Sequence, residues 1–191
     1  MISNTKTVAG PFCGPGYTSG DSVGSVSSTP QSPILPADAV VAMRSWPRRY
    51  RAALLPVDDD ETIERAGQLG PQGVSALDLV TDTARTWALL GRALHDITIS
   101  DSPVLHPAVT DPAARHWEAS VHDPLLSILD QIDDGAAALA DAFAELPAAD
   151  WKRSATTAGG TAVSALDIAA EAVRVGADNL RQIESVLASL K

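Results

Sequence analysis

The pentapeptide Val-Ser-Ala-Leu-Asp occurs twice, at 74–78 and at 163–167, and each copy heads a long stretch in which apolar side chains recur with the helical period. Serine followed three residues later by aspartate resembles a capping box with Asp in place of the usual Glu. The hydroxyl accepts a hydrogen bond from a first-turn backbone N–H that a bare helix end would leave unpaired. The aligned copies, VSALDLVTDTAR (74–85) and VSALDIAAEAVR (163–174), agree in the cap and in the apolar positions behind it. Either the two are pseudo-symmetric helices presenting equivalent faces to one core, or Ser-Ala-Leu-Asp is a favourable helix start that arose twice.

Proline and glycine punctuate the rest of the chain into four helical regions. Residues 1–36 are dominated by Gly, Ser, Pro and Thr without a sustained apolar period. Such a segment cannot bury enough surface to offset its ordering entropy, so it is expected to be a disordered tail, carrying Cys13 and Tyr17 without a function. A start assigned upstream of the true one is the other expectation for this stretch, with Met43 as the alternative. A first helix is predicted over 38–56, starting or kinking near Ser45 because Pro47 removes a backbone donor. VDDDETIERAGQLGPQG (57–73) reads as a polar connection with one short turn. The second helix runs from Ser75 to about Ile97. A loop broken by Pro103, Pro107 and Pro112 follows. Asp111-Pro112 and Asp123-Pro124 both carry the signature of an N-cap with proline in the first turn, so a third region begins there, kinked or split before LLSILDQIDDGAAALADAFAEL. Pro147 closes it. A loop containing Gly159-Gly160 leads to the last helix, from Ser164 to the end, and no segment reads as a convincing strand. The expected architecture is an all-α, up-and-down four-helix bundle over 37–191.

Composition agrees and excludes several functions. Aromatic residues make up 4% of the chain while alanine is frequent, which suits close helix packing better than a β-sandwich. A net charge of −10 opposes a nucleic-acid surface, and Arg48, Arg49 and Arg51 are too small a cluster to reverse that. One cysteine rules out an internal disulfide framework and fits a reducing compartment. With no signal-peptide pattern and no apolar run of membrane-spanning length, a cytoplasmic protein without nucleic-acid or membrane partners is expected.

Phasing the last helix at 100° per residue gives a stripe of Leu166, Ala170, Val173, Ala177 and Leu180, extended by Ile183 and Leu187. Asp167, Glu171, Arg174, Asp178 and Arg181 form a polar flank. Ile168, Val175, Asn179 and Val186 lie nearly opposite the first stripe, so the helix is expected to be broadly buried, with the Asn179 amide requiring a structural hydrogen-bond partner. Trp46, Trp87, Trp117 and Trp151 read as packing residues. DDDETIE (58–64) reads as a solvated acidic face or helix start, since it lacks the ligand spacing and glycine of a calcium loop. There is no His-Glu-x-x-His, Cys-x-x-Cys or phosphate-binding glycine loop, and no serine sits in a nucleophile elbow. His95, His106, His116 and His122 have no four-residue spacing that would place two on one helical face.

From Trp46 to the C-terminus the chain resembles the DinB-like superfamily, which includes mycothiol-dependent maleylpyruvate isomerases. The carriers are RYRAALLPV, the approach GPQGVSALDLVTD to the second helix, and the closing DNLRQIESVL. The resemblance implies a four-helix bundle with a divalent metal held by three histidines or a close variant. Matched to that pattern, the ligand of the second helix falls on Asp82. In the closing helix, typically His-Asp-x-His-His-Leu-Arg-Gln-Ile, the two ligand positions fall on Val175 and Asn179. Leu180-Arg181-Gln182-Ile183 survives while the imidazoles do not, and neither an isopropyl group nor a neutral amide serves zinc-type metals well. The expectation is therefore a bundle without catalytic residues, metal or other cofactor, with Asp82, Val175 and Asn179 as ligand-pocket candidates. It would bind a small molecule or a partner protein, or form a homodimer through Ala-rich faces such as GAAALADAFA (135–144). The alternative is a thiol-dependent transferase or isomerase with an altered metal site, taking zinc or nickel, in which Asp82, Asn179 and a mid-chain histidine converge.

Overall fold

Four long helices account for most of the computed structural model, which describes residues 34–56, 61–115 and 124–191. The expected disorder of the tail falls on residues outside those described. Helix α1 (Pro36–Leu54) is followed by the short α2 (Glu61–Ala66), the turn expected within the polar connection. Helix α3 spans Ala76–Ile99, α4 Leu125–Glu145 and α5 Ala165–Ser189. Both predicted capping boxes are formed. Ser75 Oγ accepts from Asp78 N at 3.0 Å while Asp78 Oδ2 accepts from Ser75 N at 2.9 Å. At the head of α5 the equivalent distances are 3.1 and 2.8 Å.

Three expectations are corrected. Helix α1 neither starts nor breaks at Ser45; it begins at Pro36, where a missing N–H costs nothing, and continues through Pro47. The pair Asp111-Pro112 caps only a three-residue 3₁₀ turn, Pro112–Ala114, in which Asp111 accepts from Ala113 N. The third long helix begins only at Leu125. Strands are also present: β1 (Val104–Leu105), β2 (Ser154–Thr157) and β3 (Ala162–Ser164) form a sheet in that order. Strands β2 and β3 pair antiparallel, Ala155 opposite Val163, across a turn at Gly160 whose φ of 83° favours glycine. Strand β1 adds parallel to β2, Val104 opposite Thr156.

The core is built where the four long helices meet. Helix α1 packs on α4 and α5, and α3 packs on α5 and α4. Consecutive long helices α1 and α3 thus lie diagonally, as do α4 and α5. This arrangement explains the length of the connections 55–75 and 146–164, each of which must pass over an end of the bundle. Trp46, Tyr50, Trp87, Phe143 and Trp151 are buried, in line with a packing role; Trp117 lies outside the described residues. Arg51 binds Asp130 and Asp133 across the α1–α4 seam, and Arg49 stacks 4.3 Å above the Trp46 ring. Among the described residues no helix is long and apolar enough to cross a membrane.

Candidate functional site

The cap at Ser75 fixes the phase of α3, and the cap at Ser164 fixes that of α5. The two helices run antiparallel, so the seventh residue of one comes opposite the fifteenth of the other. That crossing joins two of the three candidate residues. Asn179 Nδ2 lies 3.0 Å from Asp82 Oδ2, 3.0 Å from Thr83 Oγ1 and 3.4 Å from the Leu79 carbonyl. All three neighbours are acceptors, which fixes the amide orientation: nitrogen, not oxygen, points at Asp82. The expected structural hydrogen bond of Asn179 is therefore present, and the acceptors come from α3.

Helix α1 completes the cluster. Tyr50 donates to the Gly176 carbonyl at 3.0 Å, and its oxygen lies 3.1 Å from Thr83 Oγ1. Thr83 in turn is 2.9 Å from the Leu79 carbonyl. Burial pushes the Tyr50 phenol well above its ordinary value; the hydrogen bond with Thr83 opposes the shift, and the nearby Asp82 charge adds to it. The phenol therefore stays protonated and keeps its role as a donor. Four side chains from three helices, Tyr50, Asp82, Thr83 and Asn179, are tied into a single network of the kind that specifies a unique packing.

Val175 sits one helical turn before Asn179 and is 3% exposed. It brings only an isopropyl group to the cluster's neighbourhood. Next to it Gly176 is pressed between two indoles. A Cβ there would stand 2.9 Å from Trp87 Cζ2 and 3.0 Å from Trp46 Cε2 and Nε1. Trp87 Nε1 donates to the Ala172 carbonyl at 3.0 Å, whereas Trp46 Nε1 is buried without a hydrogen-bond partner among the described residues.

The DinB-type metal does not fit these side chains. Val175 has no donor atom, Asn179 presents N–H groups that are already donated, and Asp82 is left as a single oxygen ligand. Among the described residues no group of three or more His, Cys, Asp or Glu side chains is placed to share an ion. Nor do the described histidines converge on Asp82. His95 lies thirteen positions further along α3, about 20 Å at helical rise. His106 caps a 3₁₀ turn, its Nδ1 accepting from Ala108 N at 3.1 Å. His116 and His122 are outside the described residues.

Sequence reasoning missed the participation of Tyr50 and Thr83. Tyr50 stands four residues after Trp46, in helical register with it, and Thr83 directly follows Asp82; both signals are weak without the fold.

No protein-family model matches the chain, and no curated protein matches it. One solved structure does resemble it: YfiT from Bacillus subtilis, described as a probable metal-dependent hydrolase with an unusual four-helix bundle topology. The superposition covers 85% of this chain and 93% of that one, with a TM-score of 0.68 and 11% sequence identity. The chain therefore has that protein's four-helix-bundle fold.

Proposed function

We propose that the chain is a DinB-like bundle whose family metal positions have become a structural hydrogen-bond cluster, and that it works without a metal as a cytoplasmic small-ligand-binding module. The observation that carries this reading is the Asn179 carboxamide. Its nitrogen is committed to Asp82 and Thr83, so a closing helix that presents imidazoles to an ion elsewhere in the superfamily here presents a donor to two oxygens. A ligand-binding role is preferred to dimerisation because the Ala-rich run 135–144 contributes Ala136, Leu139, Ala140 and Phe143 to the chain's own core.

The experiment is elemental analysis of the full chain purified without chelator, before and after incubation with zinc or nickel and gel filtration. The expected result is far less than one equivalent of metal per chain and no metal-dependent change in melting temperature. One tightly held equivalent, lost on Asp82→Ala, would overturn the reading in favour of the thiol-dependent transferase or isomerase with an altered metal site. Supporting that alternative would then require His116 or His122 to reach Asp82.

A further inference from the structure

A groove of about 300 Å³ opens between the C-terminal halves of α3 and α4, at the opposite end of α3 from Asp82. Its walls include Gly91, Leu94 and His95 from α3, Glu145 from α4, and Leu146 and Asp150 from the segment that follows. The volume is at the lower end of what small-molecule sites occupy.

Gly91 is the informative residue. It stands in the middle of a 24-residue helix, where glycine is unfavourable relative to alanine. Packing does not call for it: a Cβ at Gly91 would meet only Leu139 Cδ2, at an ordinary 3.8 Å. The contrast is with Gly176, where two rings fill the space a methyl would need. The chain thus carries an unfavourable residue that the fold does not require, and its missing side chain opens the groove.

We propose that this groove binds a small organic ammonium ion, with the cation between Glu145 and Asp150 and the hydrocarbon against Leu146 and Pro147. Two carboxylate residues and one histidine line this surface. None of the Glu145, Asp150 and His95 side chains makes a hydrogen bond or ion pair with another described residue, so each is available to a ligand. Of the cations that follow in sequence, Lys152 is exposed and Arg153 is turned to the end of α3, donating to the Ser100 carbonyl at 3.0 Å. A metal ion is not the favoured occupant, because no metal-binding set of side chains is found here or elsewhere among the described residues. An amphiphilic amine satisfies both the charge and the apolar wall. The inference rests on the reading of the bundle as a ligand-binding module but not on the state of the Asp82 cluster.

The test is an amide NMR titration of the ¹⁵N-labelled full chain with phenethylammonium, and with the uncharged 2-phenylethanol and the anionic 3-phenylpropionate. The amine should give saturable shifts centred on Gly91, His95 and residues 145–150, binding roughly three- to tenfold more tightly than the alcohol, with the acid weaker still. Glu145→Gln with Asp150→Asn should bring the amine down to the level of the alcohol. Gly91→Ala should melt about 2–4 °C higher and yet bind the amine several-fold more weakly. Equal responses to the three probes, shifts centred elsewhere, no saturation at millimolar amine, or undiminished binding by Gly91→Ala would each overturn the proposal. Uptake of zinc would overturn the metal-free reading alone and leave this titration unchanged, so the two failures are distinguishable.

Discussion

Gly176 is the most tightly enclosed of the described glycines, between the edges of Trp46 and Trp87. Replacing it with alanine gains up to about 1 kcal/mol of helix propensity but forces two buried, rigid rings to move, an overpacking that costs about 1–3 kcal/mol. Gly176→Ala should therefore lower stability in urea denaturation, while Gly91→Ala raises it. Two Gly→Ala changes of opposite sign in two core helices would show that the propensity gain stands where there is space, at 91, and is outweighed by crowding at 176. Three residues along α5, Asn179 offers a second case. Asn179→Leu keeps the branched outline of the side chain, with bulkier methyl groups, but removes the donor shared by Asp82, Thr83 and the Leu79 carbonyl, and should cost about 1–3 kcal/mol by the same measurement. An unchanged denaturation midpoint would mean that water replaces the amide at no cost. That Asn179 needed a partner was legible from its position on an apolar strip. Which atoms would answer it was not, because Asp82 lies 97 positions away and reaches Asn179 only through tertiary packing.

At the scale of elements, local chemistry was readable and facing was not. The Ser-x-x-Asp caps are set by four consecutive residues, and both are present as read. The buried side of α5 is another matter. Ala165, Ile168, Ala169, Ala172, Val175, Gly176 and Asn179 are buried, whereas Leu166, Ala170, Val173 and Ala177 of the expected stripe are only half-buried. Small residues mark the core side here because large partners press on them, and hydrophobicity alone does not count the partner's volume. Adding 89 to eight of the ten buried positions of α3 from Ala76 to Leu94 (76, 79, 80, 83, 86, 87, 90, 94) lands on a buried position of α5; Ala84 and Ala93 land on the half-buried Val173 and the exposed Gln182. That correspondence favours pseudo-symmetry over a chance repeat, and it sets Trp87 of one helix against its own counterpart, Gly176, in the other. The strands escaped notice because two to four residues are too few to show a period; Thr156, Thr157, Thr161 and Val163 flanking Gly159-Gly160 were the available sign.

The outer flank of α5 carries a pH dependence of its own. Arg115, almost fully buried, donates its Nε to the Ala108 carbonyl at 2.9 Å and its NH2 to Glu171, so it fastens the segment before α4 to α5. Burial works to raise the Glu171 carboxyl, but the guanidinium groups of Arg174 and Arg115 outweigh it and hold the carboxyl below its ordinary value. A carboxyl depressed in the folded state binds its proton more readily when unfolded, so its stabilisation is complete above the unfolded value and is lost as pH falls through the folded one. Glu171→Gln should thus be less stable than the parent at neutral pH. The difference should shrink as the solution is acidified below about pH 4 and close once the parent's Glu171 is protonated, as read from melting temperatures across that range. A gap that widens on acidification would rule out the ion pair as its source.

For the whole molecule, the number of long helices and the limits set by the two serine caps and Pro147 were legible, while Pro47 and Asp111-Pro112 misplaced two others and the arrangement around the bundle was not readable. Consecutive elements usually neighbour each other, yet α1 and α3 are diagonal, and this brings Tyr50 of α1 against Gly176 of α5 and lets α3 and α5 share one seam. The same seam makes the resemblance to metal-binding bundles testable by addition. Positions 175 and 179 are one turn apart on α5, and an atom of residue 179 already lies 3.0 Å from Asp82. If these are the family's ligand positions, Val175→His with Asn179→His should supply two imidazoles beside one carboxylate, a donor set that suits zinc with an open coordination site. The double variant is expected to fold less stably alone, having exchanged a buried isopropyl group and a satisfied amide for two rings. Zinc should then restore it, since binding only the folded form at a hundredfold excess over the dissociation constant adds about 2.7 kcal/mol. A zinc-dependent rise in melting temperature that is seen in the double variant, absent from the parent and abolished by Asp82→Ala would place the three residues at the ancestral site. If the variant folds yet gains nothing from zinc, the three positions do not share the family's geometry, and the cluster around Asn179 belongs to this chain's packing alone.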